Sequence, residues 1–344
     1  MVGVRSRGEA IRQYILENLE GNSSSIVAIT AANFGISRQA VNDHMKRLAE
    51  QKSIVAEGNT RNRTYHLHPE LVDREQFSLT NLEEDIVWRD FVDPKLGEIP
   101  DNVKNIWHYG FTEMLNNAID HSEGTVAGIN IEKNPLSTKI TISDDGLGIF
   151  TRIQQILGLN DERHSVLELA KGKLTTDPNN HSGEGIFFSS RVFDEYAILS
   201  GGVYFSHEYN KPEDWIMERE RPQRGTSVYM RMDNNSSRNI KNIFDTYSSE
   251  DDYGFDKTVV PVKLARYGNE MLVSRSQAKR LLARVDRFKI VMFDFDGIDS
   301  IGQAFADEVF RVFKNKNPEM QIYFTKAEPD VEQMIFRALS VPPT

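Results

Sequence analysis

Four polar side chains suited to acid–base or metal chemistry follow one another along a predicted helix in the middle of the chain. Glu113, Asn116, Asn117 and Asp120 fall at i, i+3, i+4 and i+7, so they form one continuous stripe. Unpaired buried polar groups cost roughly 2–7 kcal/mol, so such a stripe is unusual on a helix that packs against a sheet. The stripe therefore predicts a site, and we expect Asp101 to cap its helix.

Two glycine-containing loops follow this helix. The first ends a predicted strand and has the pattern Asp-x-Gly-x-Gly, and the second precedes an apolar run that is predicted to be helical. The backbone N–H groups at the start of a helix bind anions, and glycine there lets a phosphate come close to them. Glycine before a helix is therefore a general feature of phosphate-binding loops. The residues of interest are Asp144, Gly146 and Gly148 in the first loop and Gly183 and Gly185 in the second.

The order of these motifs is more specific than any one of them. Glu-x-x-x-Asn on a helix, a strand with Asp-x-Gly-x-Gly, a variable loop, Gly-x-Gly, and Gly225-Thr226 before a strand follow one another. This order resembles the GHKL (Bergerat) ATP-binding fold of type II topoisomerases, MutL-type repair proteins, histidine kinases and anti-sigma serine kinases. The resemblance covers roughly residues 85–233 and implies ATP and Mg²⁺ as ligands.

The resemblance implies a role for each motif residue. Glu113 would orient or deprotonate a nucleophile, and Asn117 would offer its carbonyl oxygen to Mg²⁺. Asp144 would accept a hydrogen bond from the adenine amino group, and Thr226 would help to hold the base. Gly146 and Gly148 would let the backbone pass close beneath the base, while Gly183 and Gly185 would turn their amides toward the phosphates. Asn116, Asp120 and His121 are secondary candidates.

Residues 149–180 resemble the family's lid over the phosphates. Lys171 or Lys173 would reach the γ-phosphate when the lid closes. It is an equally good interpretation that either residue is an ordinary lysine exposed to solvent.

Composition limits the function classes. The 344 residues predict two or three domains, and the absence of cysteine excludes disulfides and thiol chemistry. No apolar run is long enough to span a membrane, and the N-terminus lacks a signal-peptide core, which predicts a cytoplasmic protein. The net charge of −10 argues against general nucleic-acid coating. Residues 1–70 carry nine Lys or Arg against seven Asp or Glu, and this small positive balance makes them the segment best suited to DNA.

Residues 1–70 resemble a winged helix-turn-helix. Three predicted helices are followed by two strand-like runs joined by a basic turn, and Ser37 is expected to cap the third helix. That helix would enter the major groove of double-stranded DNA, and the wing would reach phosphates. A winged helix used for protein contacts is the alternative. The predicted DNA-binding residues are Arg38, Gln39, Asn42 and Lys46 on the helix and Arg61 and Arg63 on the wing.

The predicted architecture is a multidomain α+β protein. Residues 71–84 are expected to form a linker, residues 85–235 the GHKL α/β sandwich, and residues 256–344 a small α/β domain in which strands and helices alternate. The last domain resembles the STAS domains on which anti-sigma serine kinases act. Asp299-Ser300-Ile301-Gly302 matches the turn that carries their phosphorylated serine, so Ser300 is a candidate phosphoacceptor, and the alternative is that it caps the next helix.

These features predict a DNA-binding regulator in which Mg-ATP controls the domain arrangement, with ATP hydrolysis expected. Two alternatives stay open: a serine kinase of the anti-sigma type that acts on a STAS domain, and an ATPase of DNA repair or phage defence. A homodimer is compatible with each of them, and no membrane partner is expected.

Overall fold

The N-terminal unit consists of three helices and a two-stranded hairpin. The computed structural model describes residues 7–59, 62–174, 183–211, 214–248, 254–266 and 270–340. The elements of the first unit are α1 (Arg7–Leu19), α2 (Ile26–Phe34), α3 (Arg38–Glu50), β1 (Ile54–Glu57) and β2 (Thr64–Leu67). Strands β1 and β2 pair in antiparallel fashion.

Local chemistry explains where α3 begins and which face it buries. The Ser37 hydroxyl accepts a hydrogen bond from the Ala40 N–H at 3.2 Å, which confirms the predicted cap. Val41, Met45 and Leu48 recur at helical spacing and are buried in a core that belongs to this unit. The opposite face of α3 is left to solvent.

The expectation of a linker over residues 71–84 is wrong for its first half. Leu71–Ser78 forms strand β3, which pairs along its length with β4 (Val126–Lys133) in antiparallel fashion. Strand β3 is an edge strand, and its sequence is charged because charged side chains protect a sheet edge against unwanted pairing. This charge made the segment look like a linker.

The second unit is built on a five-stranded antiparallel sheet with the order β3-β4-β5-β7-β6. Alternate side chains of β4 and β5, among them Ile129, Ile131 and Ile140, are buried beneath helices, while the opposite face is polar. The remaining elements are α4 (the consecutive helical stretches Glu84–Val87, Trp88–Val92 and Asp93–Leu96), α5 (Asp101–His121), β5 (Ser137–Asp144), α6 (Ile149–Leu157), α7 (Arg163–Lys171), α8 (Gly185–Val192), β6 (Glu195–Glu208), β7 (Trp215–Asp233) and α9 (Ile240–Tyr247).

Helix α5 carries the polar stripe and is the longest described helix, at 21 residues. Pro100 occupies its cap position and Asp101 is its first residue, so the prediction that Asp101 caps it is wrong. A carboxylate in the first turn still interacts favourably with the positive end of the helix dipole. Neither α5 nor another helix in the described ranges is long and apolar enough to cross a membrane.

The third unit alternates strands and helices, as predicted. Its three strands are parallel, with the order β10-β9-β8, and parallel neighbours require crossover connections such as these helices. Ser274 and Gln277 form a reciprocal capping box at the start of α10. The elements are β8 (Lys257–Pro261), α10 (Arg275–Leu282), β9 (Ile290–Asp294), α11 (the consecutive stretches Gln303–Ala306, Asp307–Phe313 and Lys314–Lys316), β10 (Gln321–Thr325) and α12 (Pro329–Leu339).

Candidate functional site

The separated sequence motifs meet around one cavity in the second unit. The cavity has a volume of about 250 Å³ and lies between α5, the loop after β5, α6, and the start of α8. Six of the predicted site residues line it: Glu113, Asn117, Asp144, Gly183, Gly185 and Thr226. Of the secondary candidates, His121 also lines it, whereas Asn116 and Asp120 do not.

One end of the cavity is apolar and carries a single carboxylate. Ile142, Ile198 and Val228 project from the sheet and line this end together with Asp144. One Asp144 oxygen, Oδ1, accepts hydrogen bonds from the backbone N–H of Gly146 at 2.9 Å and of Thr226 at 3.2 Å. Burial raises the pKa of Asp144, and these backbone hydrogen bonds oppose the rise. An apolar slot with one oriented carboxylate suits a flat ring that bears a hydrogen-bond donor.

The neighbouring carboxylate, Asp145, has a different task. It accepts hydrogen bonds from the Thr125 N–H at 2.6 Å, the Thr125 hydroxyl at 2.7 Å and the Val126 N–H at 3.0 Å. These bonds, the Thr125 hydroxyl first, hold the pKa of Asp145 well below its usual range. Asp145 thus anchors the start of β4 and does not line the cavity.

Gly146 and Gly148 do not line the cavity but lie in close contact with the backbone and side chains next to it. A Cβ on Gly146 would lie 2.0 Å from the Ser122 carbonyl oxygen, and one on Gly148 would lie 2.7 Å from the Ser200 hydroxyl. Gly225 approaches the backbone more closely than either, because its Cβ would lie 1.9 Å from the Asp144 carbonyl oxygen, and its φ is +78°. The loop after β5 can therefore contact α5 and β7 only with glycine at these positions.

The other end of the cavity is polar. Glu113 and Asn117 lie one turn apart on α5, and the Glu113 carboxylate packs against the first residue of α8: a Cβ on Gly185 would lie 1.9 Å from Glu113 Oε2. Gly183 has a φ of +72°, which favours glycine. The structure thus brings a carboxylate, an amide and the start of a helix to one place. The helix start can bind an anion, the amide oxygen can bind a hard cation, and the carboxylate can take a proton from a nucleophile.

Lys171 does not line this cavity. Its side chain is 1% exposed, and its ammonium donates hydrogen bonds to Glu168 at 2.6 Å and to the Ala283 carbonyl oxygen at 2.8 Å. It also donates to the Arg280 carbonyl oxygen at 3.3 Å, and these two carbonyls lie at the C-terminal end of α10. A cation there satisfies carbonyl groups that lack a partner within the helix. Lys171 does not reach the cavity in this structure, and its contact with the γ-phosphate after lid closure stays a prediction.

Lys173 is also bonded to the third unit. Its ammonium donates to the Arg287 carbonyl oxygen at 3.1 Å, and its own carbonyl oxygen accepts from the Arg284 and Arg287 guanidinium groups at 3.1 Å each. The predicted phosphate role of Lys173 is likewise not seen in this arrangement. In contrast, Leu169 and Leu174, which flank the two lysines, do line the cavity. This segment therefore lies between the cavity and the third unit.

The predicted DNA-binding side chains are exposed wherever they are described. Arg38, Gln39, Asn42 and Lys46 are exposed along α3, and Arg63 is exposed next to β2. Lys46 lies 3.9 Å from Glu50, which offsets part of its charge. Arg61 lies outside the described residues.

Ser300 does not cap α11. The helix begins at Gln303, its cap residue is Gly302, and no side chain accepts a hydrogen bond there, so that alternative interpretation of Ser300 is wrong. The turn is held instead by the Gly302 N–H, which donates to the Leu272 carbonyl oxygen at 2.8 Å. Ser300 itself is partly exposed.

Sequence reasoning did not identify Arg152, which lines the cavity from α6. No motif marks this arginine, and only the packing of α6 against β6 and α7 brings it to the site. The sequence did not predict the apolar wall of the cavity either, because Ile142, Ile198 and Val228 have the pattern of ordinary core residues in three strands.

Comparison with protein families identifies part of the third unit. The model of a STAS-like domain of unknown function (DUF4325) matches residues 277–332, which confirms the STAS-like prediction for this part of the chain. The matched segment includes Ser300 and the greater part of α10. A comparison with curated proteins gives no match.

Proposed function

We propose that the cavity binds Mg-ATP in the manner of the GHKL family and that its occupancy controls the arrangement of a DNA-binding N-terminal unit and the STAS-like unit. One observation carries the proposal: a single cavity joins an apolar slot with one oriented carboxylate to a polar end with Glu113, Asn117 and a helix start. Adenine fits the first end and the phosphates fit the second.

The residues at the polar end fit a magnesium ion. Mg²⁺ prefers oxygen ligands, keeps several waters, and is bound by few protein groups when it bridges phosphates. The Asn117 carbonyl oxygen is such a ligand, and the N–H groups at the start of α8 would bind phosphate oxygens. Glu113 would take the proton of a nucleophile, for which we expect water.

Contacts on both sides of the segment Leu169–Leu174 support a coupling between the cavity and the STAS-like unit. Leu169 and Leu174 line the cavity, while Lys171 and Lys173 bond the third unit. Nucleotide binding would shift the domain arrangement if the two arrangements bind Mg-ATP with different affinity.

A serine kinase is the second candidate. Ser300 is partly exposed, does not cap α11, and lies inside the matched STAS-like segment. The γ-phosphate would pass to the Ser300 hydroxyl of this or a second copy, with ADP as the leaving group and the hydroxyl proton passing to Glu113. An ATPase of DNA repair or phage defence would share the nucleotide chemistry but use DNA as an effector.

Substitution of Asp144 tests the adenine end. Asp144→Asn should weaken Mg-ATP binding about 10- to 100-fold, because an amide at the pocket can present its NH₂ where the adenine amino group needs an acceptor, and a hydrogen bond to a charged group contributes roughly 1.5–3 kcal/mol. The protein should stay folded, since Asp144 Oδ1 can be replaced by the amide oxygen. Isothermal titration calorimetry of the full chain measures the affinity.

Asp145→Asn is the matched control. It should lower the melting temperature, because Asp145 anchors the start of β4, and it should leave the affinity of the folded protein close to that of the natural chain. Equal affinities of Asp144→Asn and the natural chain would refute the adenine assignment.

DNA binding is tested on α3 and the wing. Arg38→Ala should weaken binding most at the preferred DNA sequence, because an arginine on the recognition helix contacts base edges. Arg63→Ala should weaken binding to all sequences alike, because it removes a phosphate contact. It should also reduce the slope of log K against log[salt] by about one. Glu50→Gln should strengthen binding, since it removes the carboxylate beside Lys46. Electrophoretic mobility shifts at several salt concentrations measure these effects. Binding that responds to none of the three changes would exclude this surface.

A further inference from the structure

The cavity is short of positive charge for the ligand proposed above. Mg-ATP is an anion, yet the cavity is lined by the carboxylates of Glu113 and Asp144. Lys171 and Lys173, the cations expected from the sequence, bond the third unit instead. Among the described lining residues, Arg152 is the only lysine or arginine.

Arg152 is only partly satisfied by the protein. One of its terminal guanidinium nitrogens, NH1, donates to the Glu123 carboxylate, while its Nε is buried and has no hydrogen-bond partner among the described residues. A buried donor without a partner is costly, and a guanidinium binds phosphate through two donors in a fixed fork. Nε is closed off while Glu123 holds the guanidinium, so an anion in the cavity would supply the missing acceptor once the guanidinium turns away from Glu123.

Glu123 is placed to compete for the same guanidinium. It lies two residues after the end of α5, has a φ of +58°, and its side chain is 66% exposed, whereas that of Arg152 is 22% exposed. An ion pair with one exposed partner contributes little, because water and salt screen it. The pair can therefore yield to a more highly charged acceptor.

We propose that Arg152 binds a phosphate group of the nucleotide and that Glu123 holds Arg152 when no nucleotide is present. This inference rests on the proposed function and deepens it by naming the cation of the site. Glu123 would then weaken nucleotide binding, since its hold on the guanidinium must be broken first.

Calorimetry of the full chain with Mg-ATP and with adenosine tests the inference. Arg152→Met should weaken Mg-ATP binding about 10- to 100-fold, the range of charge-assisted hydrogen bonds, and leave adenosine binding unchanged. Arg152→Lys should keep part of the preference for ATP. Glu123→Gln should strengthen Mg-ATP binding a few-fold, and the double variant Arg152→Met/Glu123→Gln should bind like Arg152→Met alone.

Arg231→Met is the matched control, because Arg231 pairs with Glu195 away from the cavity, and it should change neither affinity. Equal loss of ATP and adenosine binding in Arg152→Met would make Arg152 a structural residue and overturn the inference. So would unchanged ATP binding in both Arg152→Met and Glu123→Gln. A natural chain that binds adenosine but not ATP would also overturn it, whereas one that binds neither would refute the proposed function itself.

Discussion

Glu113→Gln should lower the rate of γ-phosphate release by about 10²- to 10⁴-fold, the usual contribution of a general base, and leave Mg-ATP binding within a few-fold of the natural value. The amide fills the same space against Gly185 but cannot take a proton from the nucleophile. Incubation with γ-³²P-ATP and Mg²⁺, followed by separation of free phosphate and labelled protein, measures both possible products.

The control for this prediction lies on the same helix. Asp120 belongs to the polar stripe but does not line the cavity, so Asp120→Asn should keep the natural rate. Free phosphate without labelled protein would favour an ATPase, whereas label that is lost in both Glu113→Gln and Ser300→Ala would favour the serine kinase. If Glu113→Gln turns over ATP at the natural rate, Glu113 is not the base.

Lys171→Met should lower the free energy of unfolding by about 3–5 kcal/mol, because it leaves the Glu168 carboxylate buried without its nearest cation. Glu168 is 4% exposed and accepts from Lys171 at 2.6 Å, and the more distant Arg284 at 3.5 Å cannot replace that contact. The two carbonyl groups at the end of α10 also lose their donor. Urea unfolding followed by tryptophan fluorescence and circular dichroism measures the change.

Lys173→Met is the matched comparison for Lys171→Met. Lys173 is 22% exposed, so water can replace its contacts and the loss should be about 1 kcal/mol or less. The double variant Lys171→Met/Glu168→Leu should recover part of the stability, since no carboxylate is left buried without a cation, while Arg284 loses Glu168 but keeps its hydrogen bond to the Lys173 carbonyl oxygen. Equal stability of the two single variants would show that the buried pair does not hold the third unit to α7.

Loss of the Lys171 contacts should also bear on the proposed coupling. Leu169 and Leu174 line the cavity on either side of Lys171, so a third unit that is released from α7 also releases part of the cavity wall. The stabilisation of the chain by saturating Mg-ATP would then be smaller in Lys171→Met than in Lys173→Met.

Local sequence patterns were sufficient where a short-range interaction determines the structure. Ser37 caps α3 as predicted, because its hydroxyl accepts a hydrogen bond from the N–H three residues along the chain. The apolar spacing of Val41, Met45 and Leu48 gives the buried face of α3 in the same way. The alternation of strands and helices predicted the α/β class of the third unit, and the family match confirms the STAS-like assignment for residues 277–332.

Long-range packing decided what these patterns could not. Strand β3 looks like a linker because its charges protect a sheet edge that exists only once β4 is beside it. Asp144 and Asp145 are adjacent in the chain, yet one faces the cavity and the other anchors β4, because successive side chains at the end of a strand point in different directions.

Long-range packing also determines which charged side chains reach the cavity. Sequence alone placed Glu113 and Asn117 one helical turn apart and ordered the glycine loops around them. Only the tertiary structure turned Lys171 toward the carbonyl groups of α10 and brought Arg152 to the cavity. The reason is that a buried charge must find polar partners, and two of those of Lys171, the Arg280 and Ala283 carbonyl groups, lie more than a hundred residues away along the chain.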